Sequence, residues 1–129
     1  MESKFIDTNI FIEVFIRLGD KSKKSKKLIR SINNLYTNLL VISEVVWVLD
    51  SVYELDRGTV TKCIKSILST KIVIENKKEL VSSINFYESN NVDWTDCLNM
   101  FLLKNENIST VYSYDKGLNN FDWIKRLEP

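Results

Sequence analysis

Histidine is absent from this 129-residue chain. That absence removes an imidazole general base, a Ser-His-Asp triad and His-ligated zinc from the available chemistry. Only two cysteines occur, Cys63 and Cys97. Their separation is no metal-ligand spacing, and both have apolar neighbours, so they are expected as buried free thiols in a reducing cytosol. The one proline is Pro129, and glycine occurs only at Gly19, Gly58 and Gly117, which leaves no flexible linker. Alanine is missing altogether, asparagine is frequent, and there is no repeat or low-complexity tract. No apolar run approaches the 18 residues of a membrane span. The lead Met1–Ile6 has neither a long apolar core nor a small-residue cleavage site. It is therefore not expected to be a signal peptide, and the expected address is cytoplasmic. Any enzymatic chemistry is left to carboxylates, Lys, Ser/Thr or Tyr.

What is present suits a single domain over residues 1–129. Hydrophobic residues make up 44% of the chain and aromatics 11%, enough for a real core. The 18 basic and 17 acidic residues give a net charge of +1, which excludes a histone-like polybasic protein. A nucleic-acid enzyme stays open, because a local basic patch can steer a polyanion on a nearly neutral chain.

The periodicities alternate. Lys4–Asp7 reads as a short strand ending on Asp7-Thr8-Asn9. Ile10, Phe11, Val14, Phe15 and Leu18 then recur at helical spacing until Gly19-Asp20 interrupts them. A second helix is expected through Lys21–Ile32, capped by Asp20 or Ser22, followed by a strand at Leu35–Asn38. Further helices are expected from Ser43, over Thr59–Leu68, over Lys77–Glu88 and over Thr95–Lys104. Strands are expected at Lys71–Ile74, Thr110–Tyr114 and within Trp123–Leu127. Strands separated by helices predict an α/β fold, a three-layer α/β/α sandwich on a central, mostly parallel sheet of four or five short strands.

Four acids stand out by context. Asp7 and Asp115 each end a strand-like run, and ligand sites in open α/β sheets form beyond the strands' carboxyl ends. Glu44 interrupts the apolar run from Leu39 to Leu49, and Asp96 lies in the apolar stretch from Trp94 to Leu103. A carboxylate in apolar surroundings costs several kcal/mol unless it is protonated, paired or bound to a cation. Carboxylates without His or Cys ligands select a hard divalent ion, Mg²⁺ or Mn²⁺. Each acid also has a structural reading. Asp7 suits a helix cap, Glu44 an exposed helix face, Asp93 with Asp96 a capping box, and Asp115 a turn.

Taken in order, these segments resemble the PIN-domain nucleases, in particular the single-domain VapC-type toxins. Phe5-Ile6-Asp7-Thr8-Asn9 is similar to that family's opening strand and first metal-binding Asp. Ile42-Ser43-Glu44-Val45 resembles the helix start carrying its Glu, and Val92-Asp93-Trp94-Thr95-Asp96 the segment carrying the third acid. Ser113-Tyr114-Asp115-Lys116, with Phe121 and Leu127-Glu128-Pro129, resembles the closing signature. Tyr114 departs from the commoner Phe, and the helix after Asp115 looks abbreviated. The resemblance implies a parallel-sheet α/β/α fold, Mg²⁺- or Mn²⁺-dependent RNA cleavage, a homodimer and often a protein antitoxin that blocks the site.

On this reading Asp7, Glu44, Asp96 and Asp115 are the candidate catalytic residues and metal ligands, with Asp93 as a further candidate. Thr8, Asn9 and Ser113 are candidates for orienting water or the acids by hydrogen bonds. The basic run that includes Lys23, Lys24, Lys27 and Arg30 reads either as a solvated helix face or as an RNA-tracking edge. Trp47, Trp94 and Trp123 read as core rather than as base-stacking platforms, with Trp94, beside the acids, the one left open to a stacking role. Two other classes compete. A haloacid-dehalogenase-type phosphatase needs a second Asp where Asn9 stands. A Mg²⁺-binding receiver domain needs a strand-end Asp that Asp50 and Asp56 do not supply. A catalytically silent PIN-like scaffold is the non-enzyme alternative.

Overall fold

A computed structural model describes residues 2–129; Met1, the start of the polar lead, lies outside the described residues. The chain divides into two compact units, one running to Lys77 and one from Lys78 to Pro129.

In the first unit, β1 (Lys4–Phe5) is followed by α1 (Thr8–Phe15), α2 (Asp20–Ser31), β2 (Leu35–Thr37), α3 (Leu39–Trp47), α4 (Arg57–Leu68) and β3 (Val73–Ile74). The three strands form one sheet in the order β1-β2-β3, with both pairings parallel. Helices make each crossover, as parallel strands require. The unit's core gathers Ile6 from just beyond β1, Phe11 from α1, Ile42, Val45 and Val46 from α3, and Val60 and Ile64 from α4, all nearly inaccessible to solvent.

The second unit contains α5 (Lys77–Ser89) from its second residue on, α6 (Trp94–Asn105), β4 (Thr110–Tyr112) and β5 (Lys125–Leu127), with a 3₁₀ turn at Lys116–Asn120. β4 and β5 pair in parallel, Tyr112 opposite Leu127. The core here is aromatic. Phe86 stacks on Phe121 at 4.7 Å, and Phe101 and Trp123 close the cluster.

The α/β class with parallel strands is therefore the one expected. The five strands lie in two hydrogen-bonded sets, three and two, rather than in one ladder. Helix boundaries shift where a cap decides them. α3 starts at Leu39 and not at Ser43, because the Asn38 side chain accepts a hydrogen bond from the Val41 amide at 3.0 Å. Asp56 does the same for Thr59 at 2.7 Å, opening α4 two residues early. Cys97 is buried as expected, whereas Cys63 is only half-buried. Among the described residues no helix is long and apolar enough to cross a membrane.

Candidate active site

Asp7 leaves β1 immediately after buried Ile6. The Ile6 amide donates to Tyr36 carbonyl oxygen at 2.8 Å, and Thr37 Oγ1 donates to Ile6 carbonyl oxygen at 2.9 Å. The backbone entering Asp7 is thus held on both sides by β2. Its carboxylate caps α1, Oδ1 accepting from the Thr8 amide at 2.8 Å. The helix-cap reading and the ligand reading are compatible, since one oxygen makes the cap and the cap orients the other.

Glu44 sits on the sixth residue of α3, not at its start. Ile42, Val45 and Val46 turn into the core, and the helical advance leaves Glu44 outward and exposed. Of the readings left open for Glu44, the exposed helix face is the one the structure takes. Asp7, Asp93 and Asp115 are exposed as well, and Asp96 is half-buried. After α3 the backbone widens into a π turn over Val48–Val52, with the Tyr53 amide bonded to Val48 carbonyl oxygen at 3.0 Å. This brings Val48, Val52 and Tyr53 to the wall of an open cleft of about 390 Å³ that Asp7, Thr8, Asn9 and Glu44 also line. Ile12 lines it too, and Glu13 and Arg17 complete it. Neither stands out in the sequence, although Asn9, Glu13 and Arg17 recur at four-residue spacing, the one signal available. A neighbouring cleft shares Asn9 and Glu13 and adds Lys21 and Lys24 from α2. Lys23, Lys27 and Arg30 belong to the same helix, and no carboxylate among the described residues pairs with them.

The second unit places its acids on α6 and beyond β4. Asp93 occupies the N-cap position of α6 but makes no side-chain cap, so the expected capping box is not formed. Asp115 opens the 3₁₀ turn, its Oδ1 accepting from the Gly117 amide at 2.8 Å while its own amide donates to Ser113 Oγ at 3.0 Å. A Cβ on Gly117 would stand 3.0 Å from that Oδ1, so the bare glycine is what lets the carboxylate fold over the backbone. Arg126, not foreseen from sequence, anchors the turn. It donates to Ser113 carbonyl oxygen at 2.9 Å and to Asn119 Oδ1 at 3.3 Å, and it pairs with Glu128 at 3.1 Å.

The Asp96 carboxyl feels the neighbouring Asp115 and Asp93 carboxyls. Burial first, then the approach of Asp115 and the charges of Asp115 and Asp93, push it up to about 6. Among the described residues no Lys or Arg forms an ion pair with either acid. The donors are all carboxylate oxygens, hard ligands suited to Mg²⁺ or Mn²⁺. Three or more acids are not gathered into one metal-holding group among the described residues. Mg²⁺ does not require one, since it keeps several waters and is commonly held by one or two carboxylates with substrate phosphates. The donor set fits such an ion.

The PIN-domain family model matches residues 4–124. The chain belongs to the PIN-domain family. Its match runs from the strand before Asp7 through all four candidate acids, past the turn that holds Asp115. PIN domains have a nuclease-type fold, act on nucleic acid and typically use divalent metals. No curated protein matches this PIN domain at a significant level.

Proposed function

We propose that this PIN domain is an Mg²⁺- or Mn²⁺-dependent endoribonuclease that hydrolyses RNA phosphodiester bonds, acting as the toxin of a type II toxin–antitoxin pair. The observation that carries the reading is the Asp96–Asp115 pair, two neighbouring acids of which one has its carboxyl raised by the other, with no cationic side chain paired to either. Such a pair is costly unless a proton or a cation stands with it. The catalytic and metal-binding residues on this reading are Asp7, Glu44, Asp96 and Asp115, with Asp93 as a further candidate. A bound divalent ion supplies an activated water and offsets charge on the phosphate. Carboxylates alone can hold that ion, which agrees with a chain that lacks His.

The remaining residues orient and bind. Thr8 and Asn9 flank Asp7 in its cleft, and Ser113 fixes the backbone of Asp115. Lys23, Lys24, Lys27 and Arg30 give α2 a basic face for the phosphate backbone. Lys24 is best supported, because its cleft shares two residues with that of Asp7. RNA affinity then falls steeply with salt. A homodimer, a protein antitoxin that covers the acids and a cytoplasmic setting belong to the same proposal.

Purified protein is expected to cleave RNA with Mg²⁺ or Mn²⁺ and to stop with EDTA. Asp7→Asn is expected to lower the rate by roughly a hundredfold or more. Metal-independent cleavage, or full activity in Asp7→Asn, overturns the mechanism. The toxin role predicts growth arrest on expression and rescue by a neighbouring open reading frame.

A further inference from the structure

Of the three tryptophans, two are accounted for by packing. Trp94 is 6% exposed and meets Tyr87 edge to face. Trp123 donates its indole N–H to Met100 carbonyl oxygen and sits in the aromatic cluster under Lys104. Trp47 is different. It is 60% exposed on the last residue of α3, and among the described residues no other ring packs on it. The core position expected for it from sequence is corrected, because the face it shares is not the buried one.

That face is defined by spacing. Leu40, Glu44 and Trp47 stand at i, i+4 and i+7 on α3, and Leu40 is 81% exposed. Residues three or four apart on a helix lie roughly 5–6 Å from one another. Trp47 is therefore one turn beyond the Glu44 carboxylate. The residue after it, Val48, begins the wall of the Asp7–Glu44 cleft. A large indole held in water at the rim of an acidic cleft costs solubility without adding to the core.

We infer that Trp47 is a stacking platform for an unpaired nucleobase of single-stranded RNA, next to the phosphate that the Glu44 cleft receives. The inference rests on the nuclease reading for the identity of the polymer. Two observations and one general property of aromatic stacking favour a nucleobase over a protein surface. The apolar stripe is split by Glu44, so Leu40 and Trp47 offer a protein no continuous apolar surface. A nucleotide instead puts its base on the ring and leaves the carboxylate wet. Charge complements it too. Residues up to Lys77 hold thirteen Lys and Arg against nine Asp and Glu, whereas residues from Lys78 hold five against eight. The polyanion is thus drawn to the unit that carries Trp47. Finally, an aromatic face accepts any base, and only an unstacked base can reach it.

The test is tryptophan emission of the full chain as Asp7→Asn, in Mg²⁺, titrated with single-stranded oligouridylate and with an RNA duplex of equal length. The single strand is expected to quench the solvent-exposed emission and the duplex to leave it nearly unchanged. Trp47→Phe is expected to lose the quenching yet bind within about threefold of the parent, while Trp47→Ala binds about tenfold more weakly. Equal affinity in Trp47→Ala overturns the site. So does a blue shift with protein concentration alone, which would place a second copy over Trp47. Cleavage by the unmutated chain is read in parallel. Cleavage without quenching removes the base platform and leaves the nuclease. Quenching without cleavage under any metal leaves the platform and removes the nuclease.

Discussion

Thr37 Oγ1 donates a 2.9 Å hydrogen bond to the carbonyl oxygen of Ile6, the residue that hands the chain to Asp7. Thr37 is fully buried, so its hydroxyl has no water to turn to, and 31 positions of sequence are closed by one bond. The next residue, Asn38, caps the helix that carries Glu44. Two consecutive side chains at the end of β2 therefore set the backbone of one cleft acid and the start of the helix bearing the other. Thr37→Val keeps the shape and leaves a buried carbonyl unpaired, a loss of about 1–3 kcal/mol in unfolding free energy. Metal-dependent cleavage is expected to lose kcat with KM little changed, and Thr37→Ser is expected to recover it. A Thr37→Val protein with native stability and native kcat would sink this role.

The Asp96–Asp115 pair has a consequence for pH. The Asp96 carboxyl is raised from an ordinary value near 3.8 to about 6 in the folded protein. A group whose folded pKa lies above its unfolded one favours folding while protonated and loses that advantage as it ionises. Metal-free protein is therefore expected to become less stable as pH rises from about 4 through 6, by thermal or urea unfolding. Asp96→Asn should flatten that slope. In a carboxyl NMR titration, Asp115→Asn should bring the Asp96 midpoint down.

Thr61 offers a change of opposite sign. It is 1% exposed on α4, and its hydroxyl oxygen has no hydrogen-bond partner. Thr61→Val removes an unsatisfied polar atom while preserving the branched shape, and it should stabilise the fold by about 1 kcal/mol. Differential scanning calorimetry should show a rise in Tm of a few degrees. A lower Tm would mean the hydroxyl is satisfied in solution.

Left-handed backbone gives another. Asn34, Asn76 and Asn107 take positive φ, as asparagine tolerates, but so does Glu54 at φ 54°. Glu54→Gly relieves the Cβ contact and is expected to raise stability by up to about 1 kcal/mol. Glu54→Val should lower it, read from the same urea midpoint.

Much of the helical pattern is legible in the sequence because apolar spacing is a direct record of the buried face. Ile42, Val45 and Val46 are in the core as their recurrence implies. The same pattern draws attention to the acids, yet for a reason the helix revises. Flanking apolar residues leave Glu44 open to burial or to an exposed face, and the helix decides it, because a residue two positions from Ile42 points nearly the opposite way. Trp47 departs from expectation for the same cause, since its hydrophobicity says nothing of the face it shares with Glu44. The strands before Asp7 and Asp115 are readable from their residues, although β1 stops at Phe5 and β4 at Tyr112, short of both acids. What cannot be read are the partners supplied from far along the chain. No local signal joins Thr37 to Ile6 or Arg126 to Ser113. The Asp93 capping box fails for a simpler reason: a residue type that favours a cap does not oblige its side chain to make one.

Arg126 changes how deletions near the C-terminus are to be interpreted. Residues 126–129 contain none of the proposed ligands, yet they hold the carbonyl of Ser113, whose hydroxyl holds the amide of Asp115. A protein shortened by those four residues keeps all four acids and still loses the lever that aims one of them. Inactivity after such a truncation would therefore map a support and not a contact with RNA. Arg126→Lys in the full-length chain, which keeps the charge and gives up the forked donor, is the variant that tells the two apart.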